Sequence, residues 1–485
     1  MSTLRPFYFM VVFWGAAYRR YFTELLLPSL LSPNNLPGLR RERGNRFLIV
    51  TTREDWRAIQ EDGMFRLLGT YAEPVWLEMR PPDPGDPKML VMSRGHRRMA
   101  ARAFEDRAYG VFLSPEMVFS DGSVATMGRL ADAGKKVVLG VAIRFRYETM
   151  VPEMERRGHL QPGQPLGIGS RDLMRIALQN LHSETLRYEF DAPWFAEYPV
   201  SIYWRVPRGD GIIIHSFSWA SLVIDYGALA HHDTSTFENW TVDGNYIFRN
   251  FPNPSDIYVV TDSDELALVT FTRESELHFD LVPYLAGRAP WIATWYKLNQ
   301  IRALKDSEVM DPLKRRIFPT PVYLHASEVS PVWDTTRLRV ARLIKRACEA
   351  PGRIDKLVAL FLALTAPDLG TRLLGAFGGR FAFVLWAWRY RRFVWQRLKE
   401  KGGLAAGRSR VDDGRDWASP ALGPMNPIWS LRSLLREKVL QTPSSVRQRA
   451  ALPTSGSDQL LDREATGAGG PSERDESVIH SERSR

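Results

Sequence analysis

A single cysteine in 485 residues, Cys348, has no partner for a disulfide within the chain. Stabilisation by internal cystine cross-links is excluded, and a reducing compartment is the easier expectation. No Gly-x-Gly-x-x-Gly or Walker-type loop occurs, which weighs against a dinucleotide or NTPase site. Zinc-finger spacing and an RNA-recognition signature are also missing, so nucleic acid is not an expected partner. With no Ser-His-Asp order and no His-Glu-x-x-His, hydrolase chemistry lacks support. Long apolar runs are scarce too. Leu357 to Thr365 and Phe381 to Trp388 are short, Asp368, Arg372 and Arg380 intervene, and neither reaches the roughly 20 apolar residues that a bilayer demands. No internal repeat is visible.

What remains is an ordinary globular composition, 44% hydrophobic and 25% charged, in a chain long enough for a substantial core. The formal charge of +10 points to anionic partners such as nucleotide diphosphates or phospholipid headgroups. Fifteen tryptophans, many beside basic residues, suit sugar stacking or contacts at a membrane interface.

The first third alternates strand and helix. Phe7 to Phe13 reads as a strand entering a helix from Ala16 to Leu27; the alternative is a short signal peptide built on Arg5 and the apolar Phe7 to Trp14. Strands follow at Phe47 to Thr51 and Val75 to Met79, with helices at Arg53 to Gln60 and Met89 to Glu105. Thr51-Thr52 offers a hydroxyl to cap the first of these helices. Such alternation predicts a layered α/β sheet, mainly parallel in order.

The stretch Tyr109-Gly-Val-Phe-Leu-Ser-Pro-Glu-Met-Val-Phe-Ser-Asp-Gly122 is the most informative. Its apolar run stops at Ser114-Pro115, and a polar turn carries Glu116, Ser120 and Asp121. A helix from Ser123 to Ala133 and a strand from Val137 to Ile143 come next. Acidic groups just past the carboxyl end of a central strand sit where open α/β sheets bind ligands.

This stretch, with Val137-Val-Leu-Gly-Val-Ala-Ile-Arg-Phe-Arg146, Val11-Val-Phe-Trp-Gly15, Leu27-Pro-Ser-Leu-Leu31 and Asn34-Asn-Leu-Pro37, resembles a bacterial nucleotide-diphospho-sugar glycosyltransferase-like family of GT-A fold over residues 7–285. The resemblance implies a Rossmann-like mixed, mainly parallel sheet flanked by helices. In that family the turn carries an Asp-x-Asp that holds a divalent metal against the donor diphosphate. Here the triplet is Ser114-Pro115-Glu116, so only its third position keeps a carboxylate.

The implied donor site uses Trp14, Gly15 and Tyr18 for the base, and the helix bearing Arg94, His96, Arg97 and Arg98 for the diphosphate. Against this, Trp14 could be plain core and the arginines a solvated face. Glu116 and His215 are the expected ligands of Mn²⁺ or Mg²⁺, and a metal-independent version stays open. Asp121 either touches the donor or caps the helix at Ser123. His215 closes the apolar run Ile212-Ile-Ile-His, where a structural role is the plainer alternative. Asp243, in a glycine-bearing turn between Trp240 and Tyr246, is the candidate base that takes the proton of the acceptor hydroxyl. Asp262-Ser-Asp264 formally matches Asp-x-Asp, but it reads as a hairpin turn between strands at Ile257 to Val260 and Leu266 to Thr270, and is set aside as a decoy.

Strands are also expected at Ser201 to Val206 and Gly211 to Phe217, with a helix at Asp172 to Leu181. Residues 286–400 read as a basic helical extension, and 401–485 as a largely disordered tail. Arg380 to Lys399 mixes aromatics with arginines, as a helix lying in the headgroup plane or packed on the body would. The expected activity is transfer of a sugar from a nucleotide-diphosphate donor to a glycan or lipid-linked acceptor. It would take place in the cytoplasm, at the inner face of the cytoplasmic membrane if the chain attaches there. The alternative is a noncatalytic GT-A-like protein that binds a nucleotide or glycan and scaffolds cell-envelope assembly.

Overall fold

The computed structural model describes residues 4–307 and 310–350, together with Gly352, Asp355 and Val358. These lie within one unit, Met1–Ala421. Apart from Val358, the apolar runs at 357–365 and 381–388 lie outside the described residues, as do the aromatic–arginine segment 380–399 and the expected tail from Lys401.

The chain opens with β1 (Phe7–Val12) and α1 (Ala16–Tyr21), which continues through a π-helical stretch, Phe22–Leu26, into α2 (Leu27–Leu30). β2 (Arg46–Thr51), α3 (Arg53–Gln60), α4 (Gly63–Leu68), β3 (Glu73–Glu78), α5 (Lys88–Glu105) and β4 (Tyr109–Leu113) follow. Next come β5 (Met117–Phe119), α6 (Ser123–Asp132), β6 (Val137–Val141), β7 (Arg144–Arg146), α7 (Tyr147–Arg156), α8 (Ser170–Ala177) and α9 (Ser183–Leu186). The second half supplies β8 (Ser201–Val206), β9 (Gly211–Ser216), β10 (Trp219–Asp225), α10 (Tyr246–Asn250), β11 (Ile257–Val259) and β12 (Leu268–Thr272). After these lie α11 (Pro290–Asp306), α12 (Pro312–Ile317), β13 (Val322–His325) and α13 (Val332–Cys348).

The main sheet has seven strands in the order β11-β6-β10-β4-β1-β2-β3. All are parallel except β10, which runs antiparallel to both β4 and β6. Two three-stranded sheets, β5-β12-β7 and β13-β9-β8, accompany it. The expected mixed, mainly parallel α/β sheet flanked by helices is therefore present.

The sequence of β1 explains why both faces are covered. All six of its residues are buried. Phe7, Phe9 and Val11 join one apolar cluster with Phe22, Leu26 and Val124, while Tyr8, Met10 and Val12 join another with Met99, Ala100 and Ala103. A strand apolar on both sides needs helices on both sides. Helix α5 comes especially close. A Cβ at Gly95 would lie 2.6 Å from Val12 Cγ2, so only glycine lets the helix settle there without something shifting.

The structure departs from the expected strands in two places. Trp219–Asp225 forms a strand that the sequence reading passed over, and it fills a place inside the main sheet. The strands near Ile257 and Leu268 do not form a hairpin: β11 pairs with β6 and β12 with β5 and β7. The segment Asp262 to Glu265 is thus a crossing between sheets, which removes the reason for treating it as a decoy. Across residue 285, β13 pairs with β9 over Val322↔Ile214 to His325↔Gly211.

Among the described residues no helix is long and apolar enough to cross a membrane.

Candidate functional site

In the order β3-β2-β1-β4 the chain runs outward from β1 on one side and resumes with β4 on the other. Ligands of open α/β sheets bind outside the carboxyl ends of strands at such a switch point. The residues there are Trp14, Gly15 and Tyr18 after β1, and Ser114 to Glu116 after β4.

Gly15 leaves the strand at φ +84°, a conformation that glycine adopts without strain, and α1 begins at the next residue. No side chain caps this helix. Gly15, Ala16 and Ala17 are exposed. Among the described residues, the backbone N–H groups of Ala16, Ala17 and Tyr18 donate to no protein acceptor. The turn itself is pinned by Asp55, whose Oδ2 accepts from Gly15 N at 2.8 Å and whose Oδ1 accepts from Arg19 at 2.7 Å.

Glu116 lies between β4 and β5, with its backbone carbonyl accepting from Phe271 N at 3.0 Å. Its Oε2 is sealed from solvent and has no hydrogen-bond partner among the described residues. Burial pushes the Glu116 carboxyl above its usual range, and the Arg144 guanidinium pulls it back in part. Tyr18 is shifted upward as well, by burial first and then by the charges of Glu116 and Glu276, with Arg144 opposing. These four side chains therefore share one electrostatic neighbourhood beside the switch point. Arg144 pairs with Glu184 at 2.7 Å and donates to Thr272 Oγ1 at 2.7 Å. Nearby, Arg273 donates to Tyr21 Oη at 2.6 Å and lies 3.8 Å over the ring of Tyr147.

A second group forms on the α5 side. His96 is buried against Phe112, and desolvation lowers its pKa to about 4, which keeps the ring neutral near pH 7. Asp243 is close enough to oppose that shift. Its Oδ1 accepts from Thr241 Oγ1, and its backbone carbonyl accepts from Lys314 Nζ at 2.7 Å. The cavity lined by Asp243, Leu139, Trp219 and Lys314 holds only about 20 Å³, less than the room a sugar ring occupies. Trp219 pairs with Val141 at the carboxyl end of β6, so Asp243 sits toward the same end of the sheet as Glu116. Two strand places separate β4 from β6, about 10 Å.

The other expected site residues are not drawn in. Both carboxylate oxygens of Asp121 are taken by Asn34, through its backbone N at 2.8 Å and its Nδ2 at 2.7 Å. Helix α6 begins after Gly122 with no side-chain cap, so Asp121 latches the Asn34 loop instead of capping. His215 is buried in the third sheet, its Nδ1 3.0 Å from the carbonyl of Phe318, and burial lowers its pKa to about 4. It shares no partner with Glu116. Arg94 and Arg97 are exposed on α5 and form no hydrogen bond or ion pair among the described residues, while Arg98 donates to Glu78 O at 2.7 Å.

Divalent metal chemistry at the switch point would need hard oxygen ligands. Glu116 is the sole carboxylate of its triplet, the Arg144 cation shares its neighbourhood with Glu276, and His215 lies in the third sheet against the Phe318 carbonyl. The residues present do not assemble a metal centre there.

Sequence reasoning missed Asp55, Arg144 and Glu276. A signal existed for the first, because Thr52-x-x-Asp55 has the spacing of a helix cap that turns an acid back toward its own N-terminus. No protein-family model matches the chain, and no curated protein matches it in sequence.

Proposed function

We infer that the crevice at the carboxyl ends of β1 and β4 binds a nucleotide-diphosphate sugar, and that the chain transfers the sugar to a glycan or lipid-linked acceptor. The observation that carries this is the meeting of Tyr18 with Glu116, whose Oε2 is buried and without a hydrogen-bond partner among the described residues, at the switch point of a mainly parallel sheet. A buried carboxylate oxygen without a partner is unfavourable, which supports a ligand hydroxyl or N–H reaching it once the side chains covering it move aside. The half-buried rings of Trp14 and Tyr18 suit a flat base. The uncapped start of α1 suits the diphosphate, since helix N-termini favour anions. The GT-A-like assignment draws support from the same frame.

Because a metal centre is not assembled, the leaving diphosphate would be stabilised by backbone N–H groups and arginines. Asp243, toward the same end of the sheet, is the group offered as base for the acceptor hydroxyl. A noncatalytic scaffold that binds a nucleotide or glycan in cell-envelope assembly is the second reading, favoured by serine in place of the first aspartate of the triplet and by the small cavity beside Asp243.

A thermal-shift screen with UDP-, GDP-, dTDP- and CMP-sugars, each with and without Mn²⁺, tests donor binding. One nucleotide class should raise the midpoint without metal, and Glu116→Gln should abolish the rise. If no nucleotide stabilises the protein, donor binding is wrong. Stabilisation without turnover of any acceptor would favour the scaffold.

A further inference from the structure

The crossing from β11 to β12 places Asp262 and Asp264 beside His325, the last residue of β13. One ligand atom from each lies within 4.8 Å of the other two. We propose that Asp262, Asp264 and His325 bind one divalent transition-metal ion, independently of the nucleotide crevice and of what it binds.

Two features separate this cluster from an ordinary acidic patch. The first is His325 itself. It is 1% exposed, and neither ring nitrogen has a hydrogen-bond partner among the described residues. A neutral imidazole carries one donor and one acceptor, and burying both unpaired is unfavourable. Its Nε2 lies 3.4 Å from Asp262 Oδ1, an ion-pair distance without hydrogen-bond alignment. That separation matches two ligands of one tetrahedral ion, which at bond lengths near 2.1 Å stand about 3.4 Å apart.

The second is the preset backbone. Tyr323 N donates to Thr261 O at 2.8 Å, Ser263 N to Tyr323 O at 2.9 Å, and His325 N to Ser263 Oγ at 2.9 Å. These bonds fix the acidic segment against β13 before any ion arrives. An ion there would tie the edge of the main sheet to the third sheet.

One imidazole and two carboxylates form a mixed nitrogen–oxygen set. It suits Zn²⁺ and Mn²⁺, with Zn²⁺ the tighter of the two. The donors are partly engaged. Asp264 N donates to Asp262 Oδ1 at 2.8 Å, and Arg171 on α8 reaches Asp264 with Nε 3.1 Å from both carboxylate oxygens and Nη2 2.8 Å from Oδ2. Glu328 stands 3.9 Å from the same guanidinium. Arg171 therefore occupies Asp264 as a competing cation, and an incoming ion shares or displaces it.

That competition gives a test with opposite signs. Zn²⁺ is titrated into the full-length protein by calorimetry, with Mn²⁺ paramagnetic resonance as a second readout. The expected result is one Zn²⁺ per chain, weakened at least about tenfold in Asp264→Asn and tightened in Arg171→Ala. Neither variant changes a buried side chain, so a circular dichroism spectrum unchanged from the parent separates loss of a ligand from loss of the fold. Asp262→Asn should weaken binding as well. Absence of stoichiometric Zn²⁺ binding, or equal binding by parent and Asp264→Asn, overturns the proposal and leaves Asp262 and His325 as a simple side-chain contact.

Discussion

The Oδ2 of Asp55 accepts the backbone N–H of Gly15 at 2.8 Å while its Oδ1 meets Arg19 at 2.7 Å. One carboxylate, 3% exposed as a residue, thus ties the start of α3 to the turn that ends β1. Asp55→Ala would leave the half-buried Arg19 without its partner and Gly15 N unsatisfied. Because Arg19 is only half-buried and Gly15 is exposed, water takes up part of the loss, and the cost should be about 1–2 kcal/mol. Urea unfolding of the variant should show a lower midpoint with an unchanged slope, and any nucleotide stabilisation should weaken with it.

Glu116→Gln should behave in the opposite way toward stability. The Glu116 carboxyl is held above its usual range by burial, so the folded state keeps a proton that the unfolded chain releases. Stability is therefore lost as pH rises from the unfolded carboxyl pKa toward the folded one. Replacing the acid by its amide removes that loss. The melting temperature at pH 7 should hold or rise while nucleotide binding falls. A variant that melts lower and still binds nucleotide would contradict both the burial and the role.

His96 supplies a pH dependence of its own. Burial lowers its pKa from 6.5 to about 4, with Asp243 the charged group facing it. Between those values the unfolded state binds the extra proton, so stability is complete above pH 6.5 and declines as pH falls toward 4. At about 1.4 kcal/mol per pH unit, that window is worth about 3 kcal/mol. His96→Gln should flatten the stability curve across it. His215 and His232, lowered to about 4 by the same desolvation, keep the remaining slope. An unchanged slope in the variant would show that His96 is not sealed.

Gly95→Ala sets two effects against each other. Alanine favours the helix interior over glycine by about 1 kcal/mol. The added Cβ would stand 2.6 and 3.0 Å from the two methyls of Val12, on a strand buried on both faces, and overpacking costs about 1–3 kcal/mol. A net loss of about 1 kcal/mol is expected from denaturant titration. Pairing the change with Val12→Ala should restore part of it, which plain loss of helix flexibility would not allow.

Local signals were legible in the sequence and long-range ones were not. Arg53–Gln60 and Ser201–Val206 have the expected bounds, because a cap hydroxyl and an alternating run are written within a few residues. Trp219–Asp225 went unseen because it follows β9 after only Phe217-Ser218, and its partners β4 and β6 are remote in sequence. The strands near Ile257 and Leu268 looked like a hairpin for the converse reason: neighbours in sequence were assumed to be neighbours in the sheet. At the site, the switch-point rule puts Tyr18 and Glu116 in the same region from sequence alone. For His215 only the local pattern was visible. That it closes a strand of the third sheet, under the Phe318 carbonyl, depends on where residues a hundred positions later fold back.

The place of β10 bears on how the chain can be made. β4 and β6 touch β10 but not each other, so during synthesis their facing edges emerge unpaired and stay so until residues 219–225 leave the ribosome. The N-terminal portion alone would carry two sticky ribbons with nothing between them, which predisposes truncated forms to aggregate. Any shortened version meant for expression should therefore extend past Asp225.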